Sequence, residues 1–289
     1  MTFYLLAVSI ICVFPYCKIT ILKQPLWRCF LVLSLISALY QNVIDLRALL
    51  SITLLCALYY YSITIQQRLL RAALTVVFIV ISLALALHWL PGFNNLPIVI
   101  NEHITKDAIA FTLYANFDKA VAGLFLCAYF YSTQKYGLKP TQIATKNNTL
   151  KPFIIIISTI LVTITAALIL GLVNFSPKIP DFWLAFLAIN LLFTCVAEEA
   201  LFRGIIQTKL SQIITHSRFT LLAPVVTAFV FALAHIAGGT NYVMVSFIAG
   251  FGYSYIFYKT QRLEWAILCH WLVNICHLFL FTYPMIDKS

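Results

Sequence analysis

The sequence predicts an all-α, polytopic transmembrane helical bundle of about 8–10 spans, and three observations carry that prediction. Of the 289 residues, 62% are hydrophobic and only 10% charged, with a mean hydropathy of +0.95; a soluble domain carries roughly a quarter charged residues. The apolar residues come in runs of about 17 to 25, the length a helix needs to cross a bilayer. No segment alternates apolar and polar residues with period two, as a membrane β-barrel does.

Ten apolar segments follow one another: 3–17, 26–43, 48–65, 69–90, 110–132, 152–174, 182–208, 219–237, 241–258 and 263–283. The first is short. It has no basic residues before its apolar run, so it is expected to be a retained span rather than a cleaved signal peptide. Pro91-Gly92 closes the fourth. The fifth is the most polar, carrying Asn116, Asp118 and Lys119, and the stretch from Lys135 to Lys151, with Lys139-Pro140, separates it from the sixth. Pro177 and Pro180 lead into the seventh, and Gly238-Gly239 parts the eighth from the ninth.

Most lysines and arginines fall in the loops after odd-numbered segments; Arg47, Lys106, Lys178 and Lys288 fall on the other side. That asymmetry places both termini on the non-cytoplasmic face. The net charge of +10 is thus spread over topology signals and forms no basic run that would bind nucleic acid. The eight cysteines contain no CxxC pair and mostly lie inside apolar runs. They are expected to be small buried hydrophobes, with no disulfide framework and no structural zinc.

Of nine acidic residues, only Asp118, Glu198 and Glu199 lie within apolar segments away from the segment ends, where ionisable groups are costly and usually functional. Glu198 and Glu199 belong to the run Cys195-Val-Ala-Glu-Glu-Ala-Leu-Phe-Arg203-Gly204. In an α-helix Glu199 and Arg203, four apart, share a face, and Glu198 points about 100° away. That gives the two acids different tasks, with Glu198 suited to proton transfer. Phe231-Ala-Leu-Ala-His235 ends one later segment, and His270-Trp-Leu-Val-Asn274 lies within another, with His270 and Asn274 on one face. Left apart in hydrocarbon, these groups would each cost kilocalories, so mutual contact is expected. His235 falls toward a span end, offset from the others by on the order of 10 Å, which predicts tilt, a break near Gly204 or a kink near Pro224. His277 lies close to the face of His270. His88, His103 and His216 sit near span ends.

The three runs resemble the CPBP, or Abi, family of CAAX proteases and bacteriocin-processing enzymes. Its pattern is Glu-Glu-x-x-x-Arg, then Phe-x-x-x-His, then His-x-x-x-Asn or Asp on successive late helices. The resemblance covers roughly residues 180–280. It implies an intramembrane peptidase in which Glu198 and His235 activate water and His270 and Asn274 stabilise the oxyanion. Glu199 and Arg203 would then hold the base in place. No cofactor is expected. The alternative is zinc held by Glu198, His235 and His270, although no HExxH motif is present and Asn274 is a poor zinc ligand.

Residues 110–289 are read as the protease core and 1–109 as accessory helices. The expected partners are membrane lipid and a membrane-associated peptide or protein substrate; the expected location is a bacterial inner membrane. The same polar residues also suit an ion-coupled transporter, against which stands the lack of an internal repeat, or a non-catalytic immunity or assembly protein.

Overall fold

The computed structural model describes residues 1–21, 23–135, 150–214 and 216–287. The interior of the polar stretch between Lys135 and Lys151, with Lys139-Pro140, and Lys288 lie outside them. Each of the ten apolar segments contains a helix: α1 Thr2–Val13, α2 Leu26–Tyr40, α3 Leu46–Thr64, α4 Arg68–Ala86, α5 Phe117–Lys135, α6 Leu150–Ile169, α7 Trp183–Ile213, α8 Leu222–Leu233, α9 Thr240–Thr260 and α10 Leu263–Leu280. Five of them, α3, α4, α6, α7 and α10, are long and apolar enough to cross a membrane, and α1, α2 and α8 are shorter apolar helices. The chain is an all-α integral membrane protein.

Two segment edges are corrected. Helix α1 ends at Val13 because Phe14, extended at φ −67° and ψ 148°, precedes Pro15, and the pyrrolidine ring pushes the preceding residue out of the helical region. The start of the fifth segment is a strand, β4 (Phe111–Ala115), hydrogen-bonded to β3 (Leu96–Glu102). The helix begins only at Phe117, whose N–H donates to the Asn95 side chain at 2.7 Å, satisfying one of its orphan amides. A second two-stranded sheet joins β1 (Thr20–Ile21) antiparallel to β2 (Gln24–Pro25).

The chain forms two compact units. The first comprises Met1–Pro97, Tyr114–Lys139 and Leu192–Leu201. At its heart is α5, the most polar of the ten segments, with every residue from Ala120 to Phe130 buried. Helix α4, with a mean hydropathy of 2.5, has only 22% of its span buried. The inversion follows from the solvent: lipid is as apolar as leucine, so a helix this apolar needs little protein cover, and polar groups turn inward. Trp27, Tyr59, Phe78, Phe125 and Tyr129 interlock around α5, with ring centroids 5.4–6.5 Å apart.

The second unit comprises Ile98–Leu113, Pro140–Leu191 and Phe202–Ser289. Helix α9 packs against α8, α6 and α10. The loop after α6 is strapped to the end of α10: Ser176 and Lys178 donate their N–H groups to the Leu280 and Phe279 carbonyls, and Thr282 donates to Asn174. Asp107 closes the strap by accepting from Asn174 Nδ2 at 3.1 Å and Thr282 Oγ1 at 2.9 Å.

Candidate active site

Helix α7 carries the acidic pair and is unevenly wound. Asn190–Cys195 and Ala200–Gln207 are π-helical, with the single α-turn Val196–Glu199 between them. A π turn bonds i to i+5 and is frequently found at functional sites. Arg203 and Gly204 therefore lie in π winding. The break expected near Gly204 is not seen: the helix runs on through it in π winding. Pro224 introduces none: it lies in the first turn of α8, where its missing N–H costs no helical hydrogen bond.

Glu198 and Glu199 belong to the first unit. Glu199 is fully buried. Glu198 forms a salt bridge with Lys119 of α5, Nζ to Oε1 2.8 Å, and the two side chains are only 19% and 20% exposed. Lys119 was not read as a partner of Glu198, although a lysine within an apolar segment is itself a signal.

Arg203, His235, His270 and Asn274 belong to the second unit. Arg203 is completely buried. Its Nη2 donates to the Gly250 carbonyl at 2.7 Å and its Nε to Ser254 Oγ at 3.2 Å. Its guanidinium carbon lies 4.8 Å from the Phe231 ring centre and 5.3 Å from that of Tyr253. Planar charge and rigid fork suit it to such a stack in a way lysine does not share.

His235 follows the last turn of α8, where the chain leaves the helix through a 3-10 turn, Ile236–Gly238. Gly239 then takes φ +84°, a conformation glycine adopts without the Cβ penalty of other residues, and α9 begins. His235 Nδ1 lies 2.9 Å from the Phe231 carbonyl oxygen. A carbonyl only accepts, so Nδ1 carries the proton, and in the neutral ring Nε2 presents its lone pair. The Phe231 ring packs on His235 at 4.6 Å and meets His270 edge-on at 5.7 Å.

His270, 5% exposed, stacks on Tyr253 with centroids 4.6 Å apart. One helical turn on, Asn274 Nδ2 donates to Asn190 Oδ1 at 3.1 Å, and Trp271 Nε1 donates to the Leu187 carbonyl at 3.0 Å. Together these bonds dock α10 onto the start of α7. His277 Nε2 donates to the Thr282 carbonyl at 3.0 Å.

His235, His270, Asn274 and His277 line one cavity of the second unit, with Phe231, Tyr242 and Tyr253 beside them and Ile164, Ala167, Leu172 and Val173 on the apolar side. Its space for water centres is about 80 Å³, several times the roughly 10–15 Å³ that one water needs. Neither Tyr253 nor Asn190 was legible as a site residue: an aromatic and an amide in apolar runs look like core and span-end residues until their partners are known. Among the described residues, no three His, Cys, Asp or Glu side chains form a group able to hold a metal ion.

Residues 180–276, about a third of the chain, match the model of the Rce1-like family, described as type II CAAX prenyl endopeptidase Rce1-like. No curated protein and no solved structure matches the chain. The matched region contains the Glu-Glu-x-x-x-Arg, Phe-x-x-x-His and His-x-x-x-Asn runs, and the match supports membership of the CPBP family, the CAAX proteases and bacteriocin-processing enzymes.

Proposed function

We propose that the protein is an intramembrane endopeptidase that cleaves a membrane-associated peptide or protein with water activated by Glu198 and His235. The observation that carries this reading is the gathering of His235, His270 and Asn274 around one water-sized cavity with an apolar wall. The tautomer set by the Phe231 carbonyl leaves His235 Nε2 to accept a hydrogen bond from water and orient its oxygen toward the scissile carbonyl. Glu198 takes the water proton as the new C–O bond forms. The carbonyl oxygen becomes an oxyanion, and N–H donors of His270 and Asn274 stabilise it where low dielectric strengthens them. Asn274 Nδ2 has two N–H groups; Asn190 takes one and fixes the direction of the other. Collapse breaks the C–N bond, and the leaving amine receives the proton from Glu198.

The reaction as proposed is metal-independent. Residues 110–289 carry the peptidase core, and 1–109 are accessory. The short connections between spans suit a bacterial inner membrane as the setting. The test is a mixed membrane-peptide library read by mass spectrometry with purified wild type, Glu198→Gln and His235→Ala, all shown to be folded in detergent. Cleavage by wild type alone is the expected result; cleavage at the wild-type rate by Glu198→Gln removes the assignment.

A further inference from the structure

We infer that Lys119 is a positioning residue for Glu198, built into the fold by the way α5 is anchored and packed. This inference rests on the peptidase reading and extends it to a residue outside the three motifs. Two independent features converge on the pair. The first is helix contact. Gly123 stands one turn after Lys119 on the same face of α5, and a Cβ placed on it would lie 2.8 Å from Ala197 Cβ and 2.9 Å from Ala197 Cα. The backbone of α5 therefore rests directly on the residue preceding Glu198, at a distance no side chain at position 123 permits. At that separation the lysine stem reaches across to Glu198, Nζ to Oε1 2.8 Å.

The second feature is the anchoring of the start of α5. Asp118, 2% exposed, accepts from His88 Nδ1 at 2.7 Å and from Asn95 Nδ2 at 3.1 Å. Asn95 Oδ1 in turn accepts the Phe117 N–H at 2.7 Å. This polar clasp fixes the axial position and rotation of the first turn of α5, and hence the origin of the Lys119 side chain. A carboxylate that must receive a proton from one defined water gains from having one oxygen held. A misplacement of about 1 Å costs on the order of 100-fold in rate. Lys119 holds Oε1 and so sets the plane in which Oε2 lies.

The experiment compares wild type with Lys119→Met, Lys119→Gln, Lys119→Arg and Lys119→Ala in detergent, each checked for thermal unfolding, on a peptide that wild type cleaves. The expected result is a fall in kcat of about 10- to 100-fold in the Met, Gln and Ala variants with little change in KM. Arg should retain part of the rate. Added ethylammonium should restore Lys119→Ala saturably, and tetramethylammonium, which has no N–H, should not. Wild-type kcat in Lys119→Met or Lys119→Gln overturns the inference alone. So does a loss that neither arginine nor ethylammonium relieves, since that marks a purely structural role. A wild type that cleaves nothing fails at the peptidase reading and takes the inference with it, so the two failures are told apart.

Discussion

Tyr253 and His270 lie nearly parallel, their ring centroids 4.6 Å apart and their planes 14° from coplanar. The stack holds the imidazole by its face and leaves its edge for hydrogen bonding. Such an aromatic pair contributes about 0.5–1.5 kcal/mol beyond area burial. Tyr253→Leu is therefore expected to lower kcat/KM by roughly 2- to 13-fold, and Tyr253→Phe, which keeps the ring, to lose much less. Cleavage kinetics on one peptide check this; equal losses in both variants would show that the ring face is not what orients His270.

Arg203 combines complete burial with two hydrogen bonds and aromatic faces. Arg203→Lys keeps the charge but loses the fork and the stack. Each hydrogen bond to a charged group contributes about 1.5–3 kcal/mol, so Arg203→Lys is expected to lower Tm by several degrees and Arg203→Met by more. Thermal unfolding in detergent measures both. A wild-type Tm in Arg203→Lys would mean that the guanidinium geometry contributes nothing.

A metal-independent reaction survives chelation. Peptide cleavage is expected to continue unchanged after prolonged treatment with 1,10-phenanthroline, and elemental analysis of active protein to find zinc well below one per chain. Loss of activity on chelation, restored by added zinc, would return the zinc alternative with Glu198, His235 and His270 as its ligands.

Asp107 offers a test on the stability of the strap at the membrane edge. Burial pulls its carboxyl upward, but the donors on Asn174 and Thr282 outweigh that and hold it below its ordinary 3.8. A carboxyl lowered on folding contributes stability that is complete above 3.8 and is lost as pH falls through its lower folded value. Wild type is thus expected to lose more stability than Asp107→Asn on titration below about pH 4, while Asp107→Asn starts lower at neutral pH. Parallel acid-unfolding curves for the two proteins would contradict this. The same environment draws Lys178 below its ordinary 10.5, since burial outweighs the attraction of Asp107.

The ten helices were legible because crossing lipid demands long apolar runs, and such runs leave little else to form. The acids of α7, the histidines and Asn274 stood out for a related reason: ionisable and polar groups within those runs are expensive. What remained hidden depended on tertiary neighbours. Lys119 carried a signal of its own, but its partner lies 79 residues away in the chain. Tyr253 looks like any aromatic of a span until His270 is found against it. The strand at Phe111–Ala115 was masked by an apolar composition that suits either structure, and its pairing with β3 decides the outcome.

The two π segments of α7 each take up one residue more than ordinary winding would. Returning Asn190–Cys195 to ordinary winding means dropping one residue, because i→i+5 rings close over one residue more than i→i+4 rings. Rewinding the segment without dropping a residue would swing everything downstream by about 100°, carrying Glu198 away from α5 while leaving composition and hydropathy untouched. A single-residue gap within Asn190–Cys195 is therefore absorbed by a return to ordinary winding. A relative that shares the Glu-Glu-x-x-x-Arg run but lacks one residue between Trp183 and Glu198 is expected to wind this stretch as ordinary α-helix and present its acids from the same helix rotation.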